Sequence, residues 1–157
     1  MIIEKAILLV SWIVASTCIW FFVPRDKIRN FIVAFLFKQS ITWISGLLVV
    51  EMGLIQYPVR IFQIATTASF TFEFYVYPVI CAFFNIYYPE DSTNTYKFFY
   101  YAIICSIITV LEVILEQHTQ LIRYIHWEWY WTWITLFLTF YLSRVYYRWH
   151  FKVNKAA

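Results

Sequence analysis

One apolar segment of helix length, from Tyr100 to Arg123, carries two glutamates where a helix that crosses a bilayer usually carries none. At 100° per residue its polar side chains fall on a stripe roughly 80° wide. The stripe consists of Tyr101, Cys105, Thr109, Glu112, Glu116, Thr119 and Arg123. Ile, Leu, Val and Ala make up most of the remaining surface. We therefore expect this helix to face lipid on most sides and a polar neighbour on one side.

The composition of the chain also favours a membrane protein. Hydrophobic residues make up 62% of its 157 residues and charged residues only 13%, whereas soluble domains are about 45–50% apolar and about 25% charged. Several apolar runs have the length of about 20 residues that a bilayer requires, and they lack the period-two alternation of β-barrel strands. The prediction is an all-α, polytopic transmembrane helical bundle that forms a single domain over residues 1–157.

Five spans are predicted, at about 6–23, 31–50, 66–87, 98–117 and 129–147. The first run does not have the pattern of a signal peptide, because Glu4 offsets Lys5 and no small-residue cleavage site follows. Pro78 lies inside the third run, where we expect it to kink the helix and free the carbonyl of Phe74. The connection over 118–127 is amphipathic and is expected to lie along the membrane surface.

The basic residues predict the orientation of the chain. Five spans place eight Lys and Arg residues on one side and three on the other, so the positive-inside rule puts the N-terminus outside and the C-terminus inside. The inner set is Arg25, Lys27, Arg29, Lys97, Arg144, Arg148, Lys152 and Lys155, and the outer set is Lys5, Arg60 and Arg123. The segment from Arg144 to Lys155 is further expected to contact anionic lipid. Glu4 and Glu90 are expected to be solvated ends.

The tryptophans and cysteines are expected to have structural roles. An aromatic belt at the outer interface is predicted from Trp127, Trp129, Trp131 and Trp133. The cysteines lie far apart in apolar runs and are predicted to be small buried hydrophobes; they are Cys18, Cys81 and Cys105. No C-x-x-C or Cys/His ligand spacing occurs, so no disulfide, metal site or cofactor is predicted. A net charge of +3 is too small to indicate a nucleic-acid partner.

The predicted depths of several charged residues in the membrane allow them to approach one another. At 1.5 Å per residue, Glu73 and Glu112 lie about 8–10 Å below the outer ends of their helices, and Thr135 lies near the same level. Lys38 approaches from the inner side of the membrane. Since an isolated charge at the bilayer centre costs about 2.5–3.5 kcal/mol, we expect Lys38, Glu73 and Glu112 to face one another inside the bundle.

Three further residues extend this predicted polar cluster outward. Glu116 shares the polar stripe of Glu112 and lies one helical turn farther out. Arg60 and Arg123 lie on the predicted outer side, where both are candidates to line an outward mouth. Either arginine is also suited to neutralise a nearby carboxylate or to reach lipid headgroups.

Several segments together resemble a known family. They are Pro24–Arg29, Phe37–Trp43, Val50–Arg60, Phe72–Pro78, Tyr88-Pro89, Glu112, Thr119–Tyr124 and Trp127. As a set they resemble a family of small, uncharacterised multi-span membrane proteins of spore-forming Bacillota, over nearly the whole chain. The resemblance implies a multi-pass protein of the bacterial plasma membrane. It implies no activity and no role for any site residue.

Three functions are compatible with the polar residues, and the first is the one that the sequence favours. In the first, the chain is a structural or partner-binding membrane subunit, whose polar seam fixes helix register and which binds another protein or a second copy of itself. In the second, it is a small proton- or cation-coupled transporter, channel or sensor that uses Glu73 and Glu112, because neighbouring carboxylates in a low-dielectric site resist ionising together. Five spans without an inverted repeat oppose a transporter.

The third function is an intramembrane enzyme that uses Glu112, Glu116 and His118. His118 lies about 160° from Glu116 on the helical wheel, and no second histidine follows at i+4. No Ser or Cys nucleophile has a base at recognisable spacing. The sequence therefore favours a protein that is not an enzyme.

Replacement of Lys38 by Met tests the predicted charge cluster. If Lys38 neutralises the two carboxylates, the variant loses thermal stability in detergent or the carboxylates titrate differently. Thermal unfolding and carboxylate titration of the purified protein measure both effects. An unchanged unfolding temperature together with unchanged titration contradicts the pairing.

Overall fold

Helices make up most of the structure. A computed structural model describes residues 2–152; Lys155, which contributes to the predicted orientation, lies outside the described residues. Within that range the helices are α1 (Ile2–Phe22), α2 (Ile28–Glu51), α3 (Tyr77–Ile86), α4 (Asn94–His118) and α5 (Trp129–Phe151). A 3-10 turn (Arg25–Lys27) precedes α2, and a π-helical segment (Phe70–Val76) leads directly into α3. The prediction of an all-α chain is confirmed.

Three of the described helical segments are long and apolar enough to cross a membrane: Ile2–Phe22, Arg25–Glu51 and Asn94–His118. The apolar segment Phe70–Ile86 is shorter. Helix α5 is of spanning length but rich in Trp and Tyr, and it carries Arg144 and Arg148. The helices thus indicate a membrane protein, and the polar stripe of α4 is its inner face, because Tyr101, Cys105, Thr109 and Glu112 are buried.

The connection after α2 pairs with the connection after α4. Two short antiparallel strands, β1 (Ile55–Gln56) and β2 (Arg123–Tyr124), place Ile55 opposite Tyr124. Leu121 and Ile122 are fully buried, whereas Gln120, Arg123 and His126 are exposed, which is the amphipathic pattern expected of 118–127. The two connections together close one end of the helices, which we call the hairpin end.

Helical structure in the third run begins at Phe70 rather than Thr66, because the Ser69 side chain accepts a hydrogen bond from the Phe72 backbone N–H and caps the segment. Pro78 occupies the first turn of α3, which makes Phe70–Val76 π-helical and frees the carbonyl of Phe74, as predicted.

Helix α2 supplies the donors that this irregular segment requires. The Gln39 side-chain amide donates to the Phe74 carbonyl oxygen at 2.9 Å. The Thr42 hydroxyl donates to the Glu73 carbonyl oxygen at 2.7 Å. Both donors lie on the same face of α2, so this helix holds the π-helical segment in place.

The opposite end of the structure, the basic end, joins the 22–30, 86–92 and 144–151 regions. Lys27 donates to the Ile86 carbonyl oxygen, and Asn30 donates to the Tyr147 hydroxyl at 2.8 Å. Arg144 is 4% exposed, forms an ion pair with Glu90 and lies over the ring of Tyr88.

The expectations about three charged residues are wrong. Glu90 is not simply a solvated end, because Arg144 binds it. Arg144 itself is buried and does not belong to an exposed lipid-binding tail. Glu4, also expected to be solvated, is only 9% exposed. The apolar sequences of α1 and α5 give no indication of these environments, because each depends on how the helix ends pack against other elements.

Replacing Gln39 with Leu should destabilise the fold. The variant leaves the partly buried Phe74 carbonyl without its side-chain donor, which costs about 1 kcal/mol. The free energy of unfolding in detergent measures this loss. Ser40→Ala is the control, because the neighbouring Ser40 hydroxyl is exposed and bonds only within its own helix; equal losses in the two variants contradict the assignment.

Candidate functional site

A cavity of about 340 Å³ lies among the helices towards the hairpin end. Its wall combines polar residues from every element around it with apolar residues of α2 and α5. The polar lining is Thr42, Ser45, Tyr57, Glu73, Tyr77, Glu112, Trp127, Thr132, Thr135 and Thr139. The cavity therefore joins both predicted carboxylates in one site.

Glu112 has hydrogen-bond donors on both carboxylate oxygens. Oε2 accepts from the Tyr77 hydroxyl at 2.5 Å, whereas Oε1 accepts from the Tyr124 hydroxyl at 2.7 Å and from Thr132 at 2.8 Å. The Trp127 indole donates to Thr132 at 2.8 Å, which orients the Thr132 hydroxyl towards the carboxylate. Three neutral donors thus hold one buried carboxylate in a fixed position.

Glu73 has fewer partners. Among the described residues, the donor to its carboxylate is the Tyr57 hydroxyl, 2.8 Å from Oε1. The side chain packs on Gly46 of α2, where an added Cβ would lie 2.9 Å from the Glu73 carboxyl carbon. Gly46 is therefore the residue that allows α2 to approach the carboxyl group this closely. Oε2 of Glu73 remains available to a ligand donor.

The phenols on the hairpin end act as neutral donors. Burial raises the pKa of Tyr57 well above its usual value, and the Glu73 carboxylate raises it further. Burial and Glu112 raise the pKa of Tyr124 in the same way. Both hydroxyls therefore keep their protons, so they bind the carboxylates without supplying positive charge.

Lys38 lies deeper than the cavity. Its ammonium donates to the Thr139 hydroxyl at 2.5 Å and lies 4.5 Å from the centre of the Phe140 ring. Lys38 is fully buried, and within residues 2–152 it has no carboxylate at ion-pair distance. Thr139 lines the cavity, so the Lys38 ammonium contacts the cavity wall through this hydroxyl rather than through Glu73 or Glu112.

The remaining predicted residues divide into two groups. Thr135 lines the cavity, but Glu116, Arg60 and Arg123 do not. The Arg60 guanidinium donates to the carbonyls of Tyr57, Gln63 and Thr66, and so holds the loop that presents Tyr57. Arg123 is exposed on β2, and Glu116 is half-buried one turn beyond Glu112. None of the described residues that line the cavity is Lys or Arg.

The donors to the two carboxylates are absent from the predicted cluster. They are Tyr57, Tyr77, Tyr124 and Thr132, with Trp127 behind Thr132. Tyr77 shares a helical face with Glu73, which is a signal that spacing provides. Tyr57 and Tyr124 come from connections whose pairing has no periodic signal in the sequence.

The exposed ring of His118 forms a hydrogen bond with the Ile114 carbonyl of its own helix. Among the described residues, no group of three or more His, Cys, Asp or Glu side chains has a metal-binding arrangement. The cavity instead offers two carboxylates, neutral phenols and an indole, a combination that attracts a proton or a cation.

No family model, curated protein or solved structure matches the chain. The class of protein therefore follows from the fold alone: a helical protein with three helices long and apolar enough to cross a membrane.

Gly46→Ala tests the close approach of α2 to Glu73. Alone, the substitution should displace the Glu73 carboxyl from Tyr57 and lower the free energy of unfolding. In a Glu73→Ala background the obstruction is gone, and the higher helix propensity of Ala should stabilise the protein by about 1 kcal/mol. Unfolding in detergent of the two single variants and the double variant measures the coupling. The same sign in both backgrounds contradicts the contact.

Proposed function

We propose that the chain is a five-span protein of the bacterial plasma membrane that binds a proton or a monovalent cation between Glu73 and Glu112, as a small transporter or sensor. The observation that most supports this proposal is that both carboxylates line one cavity whose described lining contains no Lys or Arg. Two acidic groups without a basic partner in a low-dielectric site favour protonation or cation binding.

The membrane placement has separate support. Successive helices lead alternately to the hairpin end and the basic end, which is the path of a chain with five spans. Eight Lys and Arg residues are assigned to the inner side and three to the outer side, so the basic end is proposed as cytoplasmic and the N-terminus as external. The cavity then lies towards the outer half of the membrane.

Contacts on the cytoplasmic side of the cavity favour a transporter or sensor over an open channel. The hydrogen bond from Lys38 to Thr139 lies directly below it. Further towards the basic end, the rings of Phe37 and Tyr146 stack at 3.9 Å and join α2 to α5. A buried ammonium on this path repels a cation that would cross it.

A structural or partner-binding subunit is the second candidate function. It is favoured by Glu112, whose carboxylate already has three hydrogen-bond donors. Such a set joins α3, α4, β2 and α5 without needing a ligand, and interhelical hydrogen bonds of this kind fix helix register. Glu73 does not share this arrangement, and it is the residue on which the two candidates differ.

Cation- and proton-dependent stabilisation tests the proposal. The purified chain is titrated with tetramethylammonium, sodium or potassium chloride at constant ionic strength, and separately with pH, while the unfolding temperature is recorded. A ligand that binds only the folded state stabilises it in proportion to the logarithm of its concentration. We expect stabilisation by at least one of these ligands in the wild type and its loss in Glu73→Gln combined with Glu112→Gln.

Glu116→Gln is the matched control, since Glu116 lies on α4 one turn from Glu112 and outside the cavity lining. It should retain the stabilisation. Stabilisation that persists in the double variant, or a wild type that responds to none of the ligands, contradicts the proposal and favours the structural subunit.

A further inference from the structure

The cavity opens sideways, between α2 and α5. Three residues line the cavity and are also exposed on the outer surface of the bundle: Ser45 of α2, and Leu138 and Leu142 of α5. Leu138 is 54% exposed and Leu142 is 51% exposed. Residues that face the cavity and the exterior at once mark its mouth, which we define as Ile41, Ser45, Leu138 and Leu142.

The position of the mouth follows from how α2 and α5 contact each other. Towards the basic end the two helices are joined by Asn30 with Tyr147, by Phe37 with Tyr146, and by Lys38 with Thr139. Beyond Lys38 the facing residues line the cavity instead. The helices thus separate towards the hairpin end and leave a lateral gap.

The surface around the mouth is apolar. Its exposed neighbours are Ile44 and Leu48 on α2 and Ile134 and Val145 on α5. Helix α2 belongs to a segment that is long and apolar enough to cross a membrane. A lateral gap within such a surface opens to acyl chains rather than to water.

The wall of the cavity changes in polarity from the mouth inward. Ile41, Leu138 and Leu142 are apolar, whereas the inner wall presents the carboxylates of Glu73 and Glu112. Aromatic rings suited to binding a cation by its charge line the same inner wall, from Tyr57, Tyr77 and Trp127. A volume of about 340 Å³ fits a small head with part of a tail.

We propose that the ligand is an amphiphilic ammonium, with a cationic head bound at Glu73 and a single apolar tail that leaves through the mouth into the bilayer. This inference rests on the proposed function and adds the class of ligand and its route. Oε2 of Glu73, which has no hydrogen-bond donor among residues 2–152, is the acceptor or counter-charge for the head. The apolar mouth residues contact the tail, at roughly 0.8 kcal/mol for each buried methylene.

An amine-bearing phospholipid is a different source of the same head, and the charges disfavour it. Its phosphate lies close to its amine and would enter a cavity whose described lining holds two carboxylates and no Lys or Arg. Repulsion between these anions opposes binding in a low-dielectric site. A head without an attached anion has no such cost.

Binding of radiolabelled decyltrimethylammonium to the full chain in nanodiscs tests the inference. Tetramethylammonium serves as the head without a tail, and decyl sulfate as the tail with an anionic head. We expect decyltrimethylammonium to bind at least tenfold more tightly than tetramethylammonium and decyl sulfate not to compete. Glu73→Gln should weaken binding of both ammonium probes at least tenfold.

Two tryptophan variants test the route. Leu138→Trp places a large ring at the mouth and should weaken decyltrimethylammonium at least fivefold while leaving tetramethylammonium unchanged. Leu111→Trp is the control: Leu111 is 55% exposed on α4 and does not line the cavity. Its binding of both probes should equal that of the wild type. Equal effects of the two variants overturn the lateral route.

The outcomes separate this inference from the proposed function. If tetramethylammonium binds through Glu73 but the decyl tail adds no affinity, the inference of an amphiphilic ligand is wrong and the proposed cation site is retained. If neither ammonium probe binds and no other cation or proton stabilises the protein, both proposals fail. Nanodiscs with and without phosphatidylethanolamine distinguish the sources, since competition by that lipid overturns the single-tailed ligand.

Discussion

The structure depends on keeping two carboxylates inside an apolar bundle without pairing either with a cation. Ionised carboxylates in such surroundings need donors, and this chain supplies phenols and a threonine hydroxyl instead of lysine or arginine. Tyr57 binds Glu73, and Tyr77 and Tyr124 bind Glu112. Neutral donors satisfy the hydrogen-bonding capacity of the carboxylates but do not neutralise their negative charge. Neutralisation then requires a proton or a bound cation. An ion pair would satisfy both requirements together, but among the described residues neither carboxylate forms one.

Helix α2 assembles the site because successive residues on one of its faces contact α5, the π-helical segment and the side chain of Glu73. Lys38 binds Thr139 of α5, and Gln39 and Thr42 bind the freed carbonyls of the π-helical segment. One turn farther along, Gly46 admits the side chain of Glu73. The irregular backbone before Pro78 is therefore not isolated: the helix that stabilises it also forms the cavity wall.

Periodicity predicted the parts of this arrangement that lie within single helices. The buried face of α4 from Tyr101 to Glu112 is a stripe at helical spacing, and a proline inside an apolar run identifies the freed carbonyl of Phe74. The partners across elements could not be predicted in this way. The strands β1 and β2 have two residues each, too few for any pattern, yet their pairing brings Tyr124 to Glu112. The ion pair of Arg144 with Glu90 likewise depends on how two helix ends meet.

The two ends of the bundle differ in a way that bears on function. At the basic end, Arg144 binds Glu90, and Asn30 of α2 binds Tyr147 of α5. Closer to the cavity, the stacked rings of Phe37 and Tyr146 and the Lys38–Thr139 hydrogen bond also join α2 to α5. At the hairpin end, these two helices separate around the cavity and its carboxylates. A ligand that reached Glu73 would have to leave by the route it entered unless α2 and α5 separated at their basic ends. Lys38 binds Thr139 of the cavity wall, so the one ammonium buried between these helices in residues 2–152 lies within electrostatic reach of Glu73. The cation binding proposed at Glu73 would therefore act on the Lys38–Thr139 contact that joins α2 to α5, which is the kind of coupling that a sensor or an alternating transporter requires.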